Sequence, residues 1–549
     1  MTGLCWALAT AHAADPPAVP DAGSVLRDLP RAPLRAPAAD ADSVLPTRPN
    51  RPVPARPAPG ASFVLAGVTL RGHTAFDEAT LQALLADAIG RATDLPGLEA
   101  LAERITRHYR DAGYTVARAY LPAQDVTDGR VVIGIVEGRY GAIVVRGDRP
   151  VPERLLPLNR LRAGELVADA PLEQALLLTG DLAGVRLSST LEPGAEVGTS
   201  NLVVELGAGP RGSARIEFDN HGAPSTGRLR LGSAVVLANA AGLGDTLAAR
   251  LLITQDDGLH SGRVSWQLPV NAAGTRLGVS ASELRYRLGG EFEALGAHGS
   301  ANVAGVTASH PLLRSRRVNL NLQAAAEHKR LSDAFDSTGV RTDKDLQTAT
   351  LTLAGDLQDD WGGGGASSLM LAWTHGRLHL GSTDAAALDA ATARADGDYE
   401  RVNLGLQRLQ ALAGGTLNIS LRGQWASKNL DSSEKLALGG IDAVRAYPQG
   451  EAAGDQAQLL NIEWRRPVAA GWQGQLMLDA GWSRINAQPW TDTRGPNQRH
   501  RAGAGLGLLW EPLRGVALEI VYAHRLTGPP AGQDGAARGR WWVQTSLSL

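Results

Sequence analysis

The chain is 549 residues long, with a formal net charge of −2 and 20% charged side chains, so it carries neither the basic footprint of a nucleic-acid binder nor an acidic tail. Its apolar fraction is 44%, yet no stretch approaches the roughly 18 consecutive apolar residues that a membrane-spanning helix needs, which excludes a helical membrane protein. The 64 glycines, and 12 tryptophans against 5 phenylalanines, suit many turns and amphipathic aromatics at a membrane interface.

At the start, the apolar run Leu4 to Leu8 precedes Ala11-His12-Ala13, a pattern that signal peptidase cuts after. Residues 1–14 are expected to be a signal peptide, truncated at its start because no Lys or Arg precedes the run. The single cysteine, Cys5, goes with it, leaving no disulfide or zinc scaffold. In residues 15–32, Asp21 can cap a short helix carrying Val25, Leu26 and Leu29, stopped by Pro30. The pattern equally admits a segment without structure. Residues 33–61 read as an extended linker, because Pro46, Pro49, Pro52, Pro54, Pro57 and Pro59 are too closely spaced for helix or sheet.

From residue 62 to 138 the periodicity predicts a small βααββ unit. A strand over Phe63, Leu65, Val68 and Leu70 is followed by a helix with Phe76, Leu81, Leu84, Leu85 and Ile89. A second helix carries Leu98, Leu101, Ile105 and Tyr109 and is capped at Gly113, and strands follow at Val116 to Leu121 and Val131 to Val136. The same order returns about 75 residues later, over 139–208: a strand at Ala142 to Val145, a helix at Pro152 to Leu161, a helix with Leu172, Leu176 and Leu177, and strands at Val185 to Leu191 and Leu202 to Leu206.

Beyond residue 209 helical periodicity is lost. Ile216 and Phe218 alternate with Arg215, Glu217 and Asp219, and Ile462 and Trp464 alternate with Asn461, Glu463 and Arg465. In the last strand Trp541, Val543, Leu547 and Leu549 share one face, and Trp542, Gln544, Ser546 and Ser548 the other. A soluble β-domain also alternates. A strand running to the last residue, and long Gly-, Asp- and Ser-rich loops between tight turns, favour a transmembrane antiparallel β-barrel over 209–549, of about sixteen strands at about 21 residues each.

Single residues in the motifs have ordinary explanations, Gly113 as a helix cap and Gly129 as a turn residue, but the combinations are specific. Tyr109 to Gln124, with Asp128-Gly129 and Val136-Glu137-Gly138-Arg139, resembles the POTRA module of the ShlB/FhaC/HecB family of two-partner secretion transporters, in the Omp85 superfamily. Phe218-Asp219-Asn220, Thr226-Gly227, Arg230, Asn239 and Gly242 to Asp245 resemble the opening strands of that family's barrel. Leu438-Gly439-Gly440 through Val444-Arg445-Ala446-Tyr447-Pro448 to Gly450-Glu451, with Gly454-Asp455, is similar to the loop that folds back into the barrel, with Ala446 where most members have Gly. The terminal Leu549 departs from the usual Phe.

The resemblance implies an outer-membrane translocator with two periplasmic POTRA modules. They would recognise a large unfolded exoprotein (haemolysin, adhesin or contact-dependent toxin), which then threads through the barrel. Further implied partners are outer-membrane lipid and the barrel-assembly machinery during biogenesis. A loop held in a water-filled lumen needs a directional anchor, which a guanidinium on a carboxylate provides; the resemblance assigns these roles to Arg445 and Asp479. It also makes the helix near Asp21 a plug in the pore. Cargo strands could add to the module edge at Val116, Arg118, Tyr120 and Leu121.

The chain has no nucleophile, zinc or P-loop motif, so no enzymatic activity, cofactor or metal is expected, and export must draw on folding of the cargo outside. The cluster Asp356, Asp359, Asp360 lacks calcium-loop spacing and reads as a turn. The competing readings are an outer-membrane assembly factor of the same superfamily, against which only two modules and a Pro-rich leader argue, and a passive porin, which has no need of the Arg445 loop.

Overall fold

The computed structural model describes residues 19–30, 62–126, 128–148, 150–491, 495–530 and 537–549. The expected signal peptide and the Pro-rich linker lie outside the described residues. The short helix is present at Ala22–Arg27. Asp21 caps it by accepting from the Ser24 N–H at 2.9 Å, while the Ser24 hydroxyl returns a bond to the Asp21 backbone.

Residues 63–138 form the first α+β unit. The expected opening strand is split into Phe63–Val64 and Gly67–Arg71, and the first piece pairs with an unforeseen strand at Ala92–Thr93. The first helix is shorter than its apolar spacing suggests, Glu78–Ala83, with a 3-10 turn at Ala86–Ala88. The second runs from Leu95 to Asp111, with Asp94 accepting from the Gly97 N–H and Pro96 in the first turn. In the main sheet Arg130–Val136 lies between Gly67–Arg71, parallel, and Arg118–Tyr120, antiparallel. Leu81, Leu85, Leu101, Ile105 and Tyr109 pack against Val131, Ile133 and Ile135.

The second unit repeats this sheet, with Thr199–Ala208 between Arg139–Gly147 and Val185–Pro193. Its first helix, expected at Pro152 to Leu161, is replaced by 3-10 turns at Glu153–Leu155 and Pro157–Arg160. Pro152 and Pro157 cannot donate to a helical ladder, and the segment is too short to absorb both. Its leucines still point inward: Leu155, Leu156 and Leu158 are buried.

Glu137, at the end of the first unit, ties the turn at Thr74 and the second helix to its last strand. Its carboxylate accepts from the Thr74 hydroxyl, the Thr74 and Ala75 N–H groups at 2.5 and 2.7 Å, and the Tyr109 hydroxyl at 2.8 Å. Burial pushes this acid upward, but the converging donors outweigh it and hold its pKa below the usual range. A depressed carboxylate contributes stability above its unfolded pKa of about 4.3 and loses that contribution as pH falls through the folded value. Glu137→Gln is therefore expected to destabilise residues 63–138 by about 1–3 kcal/mol at pH 7. Amide exchange of that unit in the full chain should show the gap to wild type closing below about pH 4; a gap constant with pH would count against this account.

Residues 212–549 form a closed antiparallel barrel of sixteen strands, from Gly212–Asp219 to Gly539–Ser548. Alternation sorts the wall as the sequence implies. Ile216, Phe218, Val306, Leu351, Leu371, Trp541 and Val543 are exposed on the outer face, whereas Asp219, Thr374, Asp479 and Trp542 are buried toward the lumen. An outer wall this apolar is suited to lipid. Where the ends meet, residues 215–219 pair with 544–548, and the Asn220 amide extends the ladder by bonding Val543 N–H and Trp541 C=O.

The second unit docks under one end of the barrel. Asp181 takes a bidentate pair from Arg314 at 2.8 and 3.0 Å, Glu173 accepts from Arg316 N–H, and Asn239 reaches Pro150 C=O at 2.8 Å. The strands 297–314, 318–335 and 340–359 rise furthest toward the opposite end, with 18, 18 and 20 residues.

Candidate functional site in the barrel lumen

The long connection between strands Gly415–Ala426 and Gln456–Ala469 folds back into the barrel instead of extending from it. Leu438, Val444, Ala446 and Tyr447 give it a small core against Leu459 and Ala523 of the wall. Backbone bonds Leu436 to Gly454, in both directions, and Val444 N–H to Leu438 C=O close its neck and tip.

At the tip, the structure brings Arg445 and Asp479 together. Arg445 donates to Asp479 from Nε at 2.9 Å, from one terminal nitrogen at 2.8 Å and from its backbone N–H at 3.1 Å. The other terminal nitrogen reaches Glu463 at 2.5 Å. Trp542 Nε1 donates to the Arg445 carbonyl at 2.7 Å, and Asn461 bonds both Ala443 C=O and Asp479. Charge-assisted bonds thus hold the pair in a site where the Arg445 side chain is 8% and the Asp479 side chain 1% exposed.

Ala446, the departure from the resemblance motif, is accommodated by the wall. The inward position opposite is Gly503, where a Cβ would lie 2.6 Å from that of Ala446. Tyr447, fully buried, bonds Thr527 at 2.7 Å, and Arg501 lies over its ring while pairing with Glu451 at 2.5 Å.

Glu463, Trp542 and Arg501 were not singled out from sequence as members of this site, and Glu451 stood in the loop motif without a partner assigned to it. The alternation around Ile462 and Trp464 puts Glu463 on the same face as Asn461, and that of the last strand turns Trp542 inward. Facing was legible, but not the partner each residue would meet.

The helix Ala22–Arg27 lies inside the barrel, with Ala22, Val25, Leu26 and Leu29 against Leu284, Tyr286, Leu288 and Leu331. Lys344 bridges Asp21 at 2.7 Å and Asp431 at 2.9 Å, and Ser432 donates to Asp21. The Ala22 N–H and the Tyr286 hydroxyl both donate to Asp333, at 2.7 and 2.6 Å. A Cβ on Gly23 would lie 2.3 Å from Ser432 Oγ, so only glycine permits this approach. Asp431 and Ser432 belong to the stem of the inward-folded loop, which makes the loop and the helix one connected body.

The proposed edge of the first unit is narrower than expected. Arg118–Tyr120 is an edge strand, but Val116 packs into the second unit's core and Leu121 into the first's, so neither presents a free edge. The Ala119 N–H is bonded to the Thr106 hydroxyl at 3.0 Å, and the Ala117 N–H to Tyr114 C=O. The acidic turn is also occupied: Asp359 pairs with Arg408, Asp356 accepts from Asn319, and Asp360 lies 3.3 Å from Arg317.

Residues 63–138 match the POTRA domain model of ShlB type. Heme/hemopexin transporter protein HuxB of Haemophilus influenzae is 27% identical over 538 residues, 95% of this chain and 94% of that protein. Outer membrane transporter CdiB of Dickeya dadantii is 22% identical over 438 residues, 77% and 76% of the two chains. The structure of CdiB from Escherichia coli superposes with a TM-score of 0.72 at 20% identity, covering 93% of this chain and 94% of that one. Residues 198–509 match the model for haemolysin secretion/activation protein ShlB/FhaC/HecB, and with the sixteen-stranded barrel and its inward-folded loop this places the chain in that family of two-partner secretion transporters of the outer membrane.

Proposed function

We propose that the exoprotein exported by this transporter belongs to the heme/hemopexin class, and that the helix at 22–27 closes the barrel until cargo displaces it. The observation that carries the gating half is the connected body in the lumen: Arg445 fixes the loop to the wall, and the loop's stem at Asp431 and Ser432 holds the helix. What supports the cargo class is the breadth of the match to the heme/hemopexin transporter proteins, over 95% of this chain in one case.

In this reading the chain performs no catalytic step. Unfolded cargo meets the POTRA modules in the periplasm and enters the barrel beside the docked second module. It displaces the helix and emerges at the far end, where folding makes the movement one-way. A cargo strand adding at Arg118–Tyr120 must displace the Thr106 hydroxyl from Ala119, so that edge is gated rather than open.

The test is secretion of large proteins into the medium by the native cells, with and without this chain, followed by capture of whatever depends on the chain on immobilised hemopexin and on heme. Export dependent on the chain, with capture on either resin, is expected. Dependent export of a protein that neither resin retains would overturn the cargo class while leaving the gating intact.

A further inference from the structure

On the outer wall, near the extracellular rim, a groove of about 390 Å³ is lined by Arg285, Arg287, Arg341, His260 and His298, with Asp257 as its one acidic member. We propose that it binds the phosphates of an anionic glycolipid of the outer leaflet. Register fixes the facing: His260 lies opposite Arg285, and Arg287 opposite His298. These residues continue the outward row of Val264, Val279 and Val306, all exposed. Tyr286, between the two arginines, points inward to Asp333.

The height is appropriate. Arg285 stands four residues beyond Ala281, the last apolar outward position of its strand, which is about 13 Å along the strand and about 9 Å of height at a tilt near 45°. The phospholipid interfacial layer is about 5–8 Å deep per leaflet, and phosphorylated sugars reach higher. Acyl chains would then lie on the valines while the phosphates meet the groove.

The charge is appropriate as well. Arg287 pairs with no carboxylate among the described residues. Arg285 and Arg341 each hold a neighbour on their own strand, Glu283 at 2.6 Å and Asp343 at 3.2 Å, and a guanidinium with five donors can bind a second anion. His260 and His298 lie 3.4 and 3.7 Å from Asp257 and Asp336, on a side chain 93% exposed in the first case.

The probe is bis-phosphorylated lipid A, titrated into the full chain in neutral detergent, beside its dephosphorylated form and inorganic phosphate. The expected result is saturable binding of the phosphorylated lipid, weakened at least tenfold by Arg285→Ala, Arg287→Ala and Arg341→Ala combined, and absent for the dephosphorylated form. Heat-modifiable gel mobility establishes that the variant barrel is folded. Should it fail, Arg287→Glu alone serves, with the same tenfold loss expected. Equal binding by wild type and folded variant, or by lipid without phosphates, overturns the proposal. Inorganic phosphate binding as strongly as the lipid, and lost in the variant, would reassign the groove to a soluble anion and overturn the lipid reading.

Discussion

Arg445→Ala is expected to reduce export of the partner exoprotein at least tenfold while leaving the barrel assembled in the outer membrane. The substitution removes a guanidinium bonded to two carboxylates, and it leaves Asp479 and Glu463 buried with 1% and 7% side-chain exposure. Breaking a buried pair by deleting one partner costs about 3–5 kcal/mol, enough to shift a tucked loop by about two to four orders of magnitude in population. The barrel ladder itself does not pass through Arg445, so assembly should persist. Arg445→Lys is expected to recover little, because one ammonium cannot reproduce the bidentate grip on Asp479 together with the bond to Glu463. Exoprotein in the medium, measured against heat-modifiable barrel in the membrane fraction, checks both variants. Export at the wild-type level from Arg445→Ala would remove the anchor from the mechanism.

Features that depend on neighbouring residues are legible in the sequence, and those that depend on distant partners are not. Alternation at Ile216 and Phe218, or at Trp541 and Val543, announces a two-faced strand, because period two is a property of neighbouring residues. The helix cap at Asp21 is legible for the same reason, since Ser24 is three residues away. The helix expected at Pro152 to Leu161 misled because its leucines do face inward, and burial alone does not distinguish 3-10 turns from an α-helix when prolines interrupt. Val116 and Leu121 misled because the strand pattern says nothing about which cores its ends will enter. Arg445 and Asp479 came from a motif resemblance; Glu463 was visible only as an inward side chain. Bonds such as Ala22 to Asp333 and Asp21 to Lys344 join residues 311 and 323 positions apart. Only the closed barrel brings them together.

That long-range network sets the second large expectation: Lys344→Ala should raise single-channel conductance severalfold in planar bilayers, most of the way to the level reached by deleting residues 15–32. Lys344 is the cation between Asp21 and Asp431, with Asp333 also facing the start of the helix. Without it three carboxylates share one poorly hydrated corner, and the helix is left with its bonds to Ser432 and Asp333, the Arg27 bond to the Ser432 carbonyl at 3.3 Å and the apolar contacts of Ala22, Val25, Leu26 and Leu29. The helix has six residues and little intrinsic stability, so its ordered state depends on this site. Combining Lys344→Ala with the deletion tests the route: if Lys344 acts by retaining the helix, the combination conducts like the deletion alone. An additive rise would mean that Lys344 shapes the lumen independently, and a deletion that leaves conductance at the wild-type level would mean that the inward-folded loop alone closes the pore. Because Asp431 and Ser432 lie on that loop's stem, Arg445→Ala should also raise conductance in the intact chain. A closed channel in that variant would separate the anchor from the plug.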